Sequence, residues 1–113
     1  MLPKQHRLPL RTELIRVKEK GRLVQGQLFS LLIDKRKDKA PSRFGFIIST
    51  KIHKRAVKRN RARRLLTEAL RPLLPKVKPG FDAIFLAKRE VVGKELVEIK
   101  TAVERLFKKA KMI

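Results

Sequence analysis

The sequence predicts a single domain that mixes α-helices and β-strands, and three observations lead to this fold class. Apolar residues recur at i, i+3, i+4, i+7, i+8 and i+11 over the stretch 62–73, which is the spacing of an amphipathic helix. The runs 28–33, 43–50 and 81–87 have the apolar, β-branched and aromatic content of short strands. A chain with 42% hydrophobic residues can therefore build one modest core from both kinds of element.

The first half of the chain predicts one helix and a set of strands. Thr12 is expected to cap a helix over 13–20, and Gly21 is expected to end it. Residues 22–25 are a candidate edge strand. The polar run 34–42 separates two apolar strands and predicts an exposed connection, long enough for a hairpin between them.

The second half predicts a central helix, a strand and a final helix. The central helix is expected to end near Arg71, because Pro72 and Pro75 remove backbone donors and disfavour helical geometry at the residues before them. After the strand at 81–87, helical periodicity returns over 91–110.

The composition is strongly basic. There are 31 Lys and Arg against 10 Asp and Glu, which gives a formal net charge of +21 and a pI near 11.5. Such a charge is typical of proteins that bind nucleic acid, or less often an anionic membrane surface. A membrane-surface helix would need bulky aromatic residues, but Trp and Tyr are absent. RNA is the favoured partner of a single domain over 1–113, of which 1–11 are expected to be mobile.

The positive charge is organised on the central helix. Nine Lys or Arg stand against one Glu over the stretch 51–71. At about 100° per residue, the side opposite the apolar stripe carries Asn60, Arg64, Thr67 and Arg71, with Arg59 and Arg63 along one flank. A solvated helix face usually mixes charge signs, whereas here like charges are neighbours. The helix is therefore predicted to follow several phosphates of a folded nucleic acid.

Candidate catalytic and metal-binding residues are few. Without cysteine the chain cannot form a disulfide, a thiolate zinc site or a cysteine nucleophile. Asp34 and Asp38 lie in a lysine-rich segment and are interpreted as solvated charges. His6 falls in the segment expected to be mobile, and His53 is either a neutral hydrogen-bonding contact or loop surface. The prediction is that the protein has no catalytic residues and no metal site of its own.

The sequence also bears on location. It contains no long apolar run that could span a bilayer, and its first residues lack the apolar core of a secretory signal. The cytoplasm is the expected compartment.

The segment VKRNRARRL at 57–65 resembles the signature of the bacterial ribonuclease P protein family, an Arg-Asn-Arg helix with further basic residues one turn on. Arg59, Asn60 and Arg61 match the signature directly. Three more segments are similar to parts of the family. Residues 44–57 resemble its strand and connector, 81–89 its strand ending in Ala-Arg, and 104–109 its last helix.

The resemblance implies a fold and a function. The fold is a single two-layer α/β domain in the order α-β-β-β-α-β-α, with a left-handed crossover like that of the second domain of ribosomal protein S5. The function is to help a catalytic RNA remove the 5′ leader from precursor tRNA, with Mg²⁺ bound mainly by the RNA. The implied partners are that catalytic RNA and precursor tRNA, with no membrane partner and no small-molecule substrate.

The resemblance also implies two sets of site residues. Contacts to the catalytic RNA are expected from Lys51, Lys54, Arg55, Arg59, Asn60, Arg61, Arg63, Arg64 and Arg71. A groove for the single-stranded leader is expected at Leu14, Lys18, Phe29 and Leu32. The family usually has aromatic residues where Leu14, Lys18 and Leu32 stand, so base stacking in this groove is expected to be weaker.

Three other functions remain as alternatives. A ribosomal protein that binds structured rRNA would share the size, the charge and the lack of catalytic residues. A DNA-binding helix module would usually bring a dimer seam, which the sequence does not show. A nuclease that acts without RNA would need clusters of acidic residues.

Overall fold

The computed structural model describes residues 2–113 as a four-stranded sheet with three α-helices and three 3₁₀ turns. The helices are α1 (Leu10–Lys20), α2 (Ala56–Leu70) and α3 (Leu96–Lys109), and the strands are β1 (Arg22–Gln25), β2 (Phe29–Lys35), β3 (Arg43–Ile47) and β4 (Phe81–Ala87). The sheet order is β1-β2-β4-β3, in which only β3 and β4 pair in parallel. The expected single α+β domain and its element order are confirmed.

The connection between β2 and β3 differs from the prediction. The two strands are not neighbours, because β4 lies between them and pairs with both. The expected hairpin across this connection is therefore wrong, and the hairpin of the sheet is formed by β1 and β2. Strand pairing depends on residues far apart in the chain, so the local pattern could give the strands but not their order. The strands predicted at 22–25 and 81–87 have the expected bounds.

Helix α1 begins earlier than predicted and ends where expected. The carbonyl of Pro9 accepts the Thr12 N–H at 3.2 Å, so Thr12 lies inside the first turn and is not the cap. Gly21 follows the helix in an extended conformation. A Cβ at this position would lie 2.4 Å from the Val17 oxygen and 2.8 Å from the Ile33 oxygen. Glycine is required there because the chain passes directly against β2.

Alternation along the strands divides the core between two faces of the sheet. One face packs against α2 and α3, and Phe85 lies at its centre, with its ring centroid 5.7 Å from that of Phe29 and 5.9 Å from that of Phe107. The other face is covered in part by α1, whose Val17 packs with Ile84. A two-layer description fits the sheet with α2 and α3, and α1 adds a partial layer on the opposite side.

The apolar stripe of α2 is buried as predicted, but one residue of its polar side is not exposed. Leu66, Ala69 and Leu70 are fully buried against the sheet and α3. Thr67, expected on the outer face, is also buried, and its hydroxyl donates to the Arg63 carbonyl at 3.0 Å. Leu2 and Leu8 of the N-terminal segment line the same groove as Thr67.

The expectation that residues 1–11 are mobile is corrected from Leu2 onward, whereas Met1 lies outside the described residues. Leu2 and Leu8 are buried. The Leu8 N–H donates to the Phe44 carbonyl at 2.9 Å, so the segment extends the sheet at the edge of β3. His6 Nδ1 lies 2.7 Å from the Ser42 carbonyl oxygen and fastens the same segment.

Helix α3 starts five residues later than the periodicity indicates. Gly93 adopts a φ of +83°, a conformation that favours glycine and interrupts helical geometry. The helix begins only after this turn, where the Glu95 N–H donates to Glu98 Oε1 at 3.2 Å.

Candidate nucleic-acid interface

The N-terminus of α2 is a strongly electropositive end of a helix. Its first turn holds no acidic residue, and Lys54, Arg55 and Lys58 are exposed around it. His53 Nδ1 accepts the Arg55 N–H at 3.0 Å, which assigns this nitrogen as the unprotonated one of the ring. The remaining amide groups of the first turn and the helix dipole favour an anion at this end, and the nearby cations add to that preference.

Two arginines on α2 are available to a ligand. Arg63 and Arg64 are exposed, and neither side chain makes a hydrogen bond or an ion pair with any residue in 2–113. Asn60, one turn earlier, is exposed and likewise has no side-chain hydrogen bond within the described part of the chain. An arginine fork that is not held by a carboxylate can pair with two phosphate oxygens. These three side chains form the outward-facing part of the predicted RNA surface.

Arg59 and Arg61 have structural contacts instead. Arg59 Nη1 donates to the carbonyls of His53 and Lys54, both at 2.8 Å, and so holds the connector that precedes α2. Arg61 Nη1 donates to the Lys94 carbonyl at 3.0 Å and holds the loop before α3. Each guanidinium keeps other N–H groups, so contact with RNA stays a prediction for both residues.

The remaining residues of the predicted RNA set lie around α2. Lys51, Lys54 and Arg55 are exposed on the connector. Arg71 lies just beyond the C-terminus of the helix, and its Nη2 is 4.0 Å from Glu68 Oε1. Their contacts with RNA also stay predictions.

The predicted leader groove is only partly assembled. Leu14 and Leu32 meet on the face of the sheet covered by α1, and Lys18 is exposed on the same helix. Phe29 is fully buried on the opposite face, with its ring centroid 5.7 Å from that of Phe85. Its assignment to the groove is wrong, because residues 29 and 32 of one strand point to opposite faces.

Sequence reasoning missed the rest of this surface. Leu23 is 51% exposed and pairs across the hairpin with Leu32, and Ile47 and Leu86 are half-buried on the same face. Together with the residues above they form what we call the α1 strip, which consists of Leu14, Lys18, Leu23, Leu32, Ile47 and Leu86. The α1 strip contains no aromatic side chain. The pairing register that brings these residues together was the missing information.

A buried ion cluster holds the other side of α1. The carboxylate of Asp82 in β4 is fully buried and accepts hydrogen bonds from three arginines. Arg36 Nη1 lies 2.6 Å from Oδ1, and Arg43 Nη2 lies 2.8 Å from Oδ2. Arg16 of α1 donates to the same carboxylate and also to Asp34. The interpretation of Asp34 as a solvated charge is therefore corrected.

The cluster determines the protonation of Asp82. Burial by itself would raise the pKa of this carboxyl group, but the hydrogen bonds from Arg43 and Arg16 outweigh it and hold the pKa below its ordinary value. Asp82 is thus ionised at neutral pH. It links α1 to the sheet as a charged group that is fully hydrogen-bonded.

Residues 2–113 contain no group of three or more His, Cys, Asp or Glu side chains that could hold a metal ion. Among the helices of the same range, none combines the length and the apolar character that a bilayer crossing requires.

Comparison with known proteins gives consistent matches. The family model described as Ribonuclease P matches residues 2–111. The ribonuclease P protein component of Synechococcus sp. (strain JA-2-3B'a(2-13)) is 37% identical and aligns with 100% of this chain and 87% of its own length. The corresponding protein of Symbiobacterium thermophilum is 33% identical, over 99% of this chain and 96% of its own length.

Solved structures show the same fold. A mutant of the Staphylococcus aureus RNase P protein, described as defective in mRNA degradation activity, superposes with a TM-score of 0.88 at 24% identity and covers 97% of this chain and 92% of its own. The RNase P protein of Thermotoga maritima superposes with a TM-score of 0.81 at 22% identity, over 91% of this chain and 96% of its own.

Proposed function

Because the chain belongs to the ribonuclease P protein family, we propose that it assists a catalytic RNA in removing the 5′ leader from precursor tRNA. The observation that carries this proposal is the outer face of α2, where Arg63, Arg64 and Asn60 are exposed without partners in the described chain. A surface of this kind binds phosphates and needs no reactive side chain of its own. The cytoplasm is the proposed location.

The proposed role of the protein is electrostatic. Two RNAs that approach each other repel through their phosphates, and a surface rich in guanidinium groups between them lowers this repulsion. We assign the catalytic Mg²⁺ to the RNA, where it would activate the attacking water. No side chain of the protein is given a catalytic role. The protein would instead lower the concentration of Mg²⁺ at which the two RNAs associate.

The α1 strip is the proposed surface for the leader. Leucine and isoleucine side chains offer an apolar surface to a base, and Lys18 can pair with a phosphate. Stacking on an aromatic residue, worth about 1–3 kcal/mol per base, is not available on this surface. The leader should therefore be held mainly by its backbone charge, with little preference for its sequence.

The proposal is tested by the RNA that copurifies with the protein and by the Mg²⁺ dependence of cleavage. We expect copurification of one processing RNA, and cleavage of precursor tRNA by that RNA at lower free Mg²⁺ when the protein is added. Copurification of ribosomal RNA instead would favour a ribosomal protein. An unchanged Mg²⁺ requirement would contradict the electrostatic role.

The double variant Arg63→Ala/Arg64→Ala is expected to weaken binding to the catalytic RNA while the fold is retained. Each lost phosphate contact should reduce the magnitude of the negative slope of log K against log salt by about 0.7 to 0.9. The slope is measured by filter binding over a series of salt concentrations. The control is Lys100→Ala/Arg105→Ala, which removes the same charge from exposed positions of α3. An equal loss in the control would show that net charge, and not the α2 surface, determines binding.

A further inference from the structure

A groove of about 520 Å³ opens between α2, the outer edge of β3 and the N-terminal segment. We call it the edge groove. Its apolar lining includes Phe46 on the α2 side of β3 and Leu10 on the α1 side, and its polar wall on α2 includes Asn60, Arg63 and Arg64. Cavities of this size that combine an apolar lining with a few polar groups are typical of sites for small ligands.

The aromatic part of the apolar lining packs against the main core. Phe46 is half-buried, and its ring meets that of Phe85 edge-on, with the centroids 5.8 Å apart. Phe85 is fully buried in the centre of the main core. The ring of Phe46 is therefore held from behind while it lines the groove. A planar ring could pack against this wall without rearrangement of the core.

The polar groups of the groove are placed to form hydrogen bonds with the edge of a planar ring. Leu8 N–H donates to the outward-facing carbonyl of Phe44, and alternation along β3 points the N–H and C=O of Phe46 the same way. No backbone group of the N-terminal segment hydrogen-bonds to them, because the chain turns into α1 at Leu10. Across the groove, the amide of Asn60 offers one further acceptor and two donors.

The positive charge at the groove indicates which chemical groups would flank a ring bound there. Arg63 and Arg64 are free of protein partners within residues 2–113, and Arg7 lines the same opening. The acid at this opening, Glu68, lies about one turn further along α2, with Oε1 4.0 Å from Arg71 Nη2. An excess of positive charge beside an apolar wall fits a base between two phosphates better than it fits a peptide strand.

We propose that the edge groove holds one unpaired nucleobase of the partner RNA. The base packs against Phe46, its polar edge meets Asn60 and the backbone of Phe46, and its flanking phosphates pair with Arg63 and Arg64. This inference rests on the proposed function and adds base recognition to it, since phosphate contacts by themselves carry no sequence information.

The test is a titration of the full-length protein followed by ¹⁵N–¹H nuclear magnetic resonance. The probes are the four nucleoside 3′,5′-bisphosphates, each of which carries one base and two phosphates. An abasic ribose 3,5-bisphosphate is the matched control, because it has the same charge and no base. We expect at least one nucleoside bisphosphate to bind about fivefold or more tightly than the abasic control. The shifted signals should be those of Gly45, Phe46 and Asn60.

Two variants separate the contributions of the groove. Asn60→Ala should weaken binding of the preferred nucleoside bisphosphate by roughly threefold to tenfold and leave the affinity for the abasic control unchanged. Phe46→Leu keeps an apolar side chain on Phe85 and should also narrow the difference between base and abasic probes. Thermal melts confirm that both variants fold, and Lys100→Ala serves as the control that should not alter either affinity.

Several results would overturn the assignment. Equal affinities for nucleoside and abasic bisphosphates would reduce the groove to an anion site. Shifts confined to the α1 strip would place the base elsewhere. A short extended peptide that shifts the Phe46 and Asn60 signals when no nucleoside bisphosphate does so would assign the groove to a protein partner. Because these probes need no catalytic RNA, failure of the groove is distinguishable from failure of the proposed function.

Discussion

Three arginines from three separate parts of the chain surround the buried carboxylate of Asp82. Arg16 comes from α1, Arg36 from the loop after β2, and Arg43 from β3. The apolar contact between α1 and the sheet is small, since Val17 is the one fully buried residue of this helix. The ion cluster therefore fixes how α1 lies on the sheet. Its position in turn determines the shape of the α1 strip.

Asp82→Asn is expected to lower the free energy of unfolding by about 3 kcal/mol, because it leaves three guanidinium groups around a neutral side chain. The change is measured by urea denaturation at pH 7. Glu19→Gln, which removes a negative charge from an exposed position of α1, is the matched control and should change stability by less than about 0.5 kcal/mol.

The pH dependence of the same pair of variants checks the cause. The pKa of Asp82 is lower in the folded than in the unfolded protein, so its contribution is complete above the unfolded value of about 4. That contribution disappears as the pH falls through the folded value. The stability gap between wild type and Asp82→Asn should therefore close in acid. A gap that persists at low pH would show that packing, not charge, makes the difference.

At the scale of the element, α2 has one face for the core and one for the ligand. Leu66→Ala should cost about 2–5 kcal/mol of stability, since Leu66 is fully buried between the sheet and α3. Arg64→Ala should leave stability nearly unchanged and weaken RNA binding. Chemical denaturation and filter binding on the same two proteins measure both effects. Equal losses of stability would mean that the two faces are misassigned.

The same element shows what sequence could and could not predict. Periodicity alone identified the buried stripe of α2, because residues three and four apart share a face of a helix. It failed for Thr67, whose surroundings include Leu2 and Leu8 from a distant part of the chain. Phe29 was misplaced for a related reason. Which face of a strand is buried by which helix depends on pairing between distant segments.

The candidate site also has parts that local sequence spacing could predict and parts that it could not. The exposed arginines of α2 could be found from local spacing together with the Arg-Asn-Arg signature. The Asp82 cluster could not, because each arginine sits in a different element and only the folded register brings the four charges together. The edge groove was also beyond sequence reasoning. It depends on an N-terminal segment that the composition indicated to be mobile and that the structure shows packed on β3.

Across the whole molecule, positive charge exceeds what internal pairs can balance. The ten acidic residues cannot neutralise 31 Lys and Arg, and several acids are already committed to the Asp82 cluster. The surplus cations repel one another in the folded state and less so in an expanded chain. The free energy of unfolding at low ionic strength is therefore expected to be smaller than the apolar core alone would give.

Anions that bind the folded surface should relieve this repulsion more effectively than simple screening does. We expect pyrophosphate to raise the melting temperature more than sodium chloride at equal ionic strength. The reason is that a ligand bound only by the folded state adds about 2.7 kcal/mol at one hundred times its dissociation constant. Melting followed by circular dichroism measures the shift, and Arg63→Ala/Arg64→Ala should respond less than Lys100→Ala/Arg105→Ala. If both double variants respond like the wild type, the stabilising anions bind away from α2. The exposed cations of α2 would then serve the solubility of the protein and would not bind a ligand.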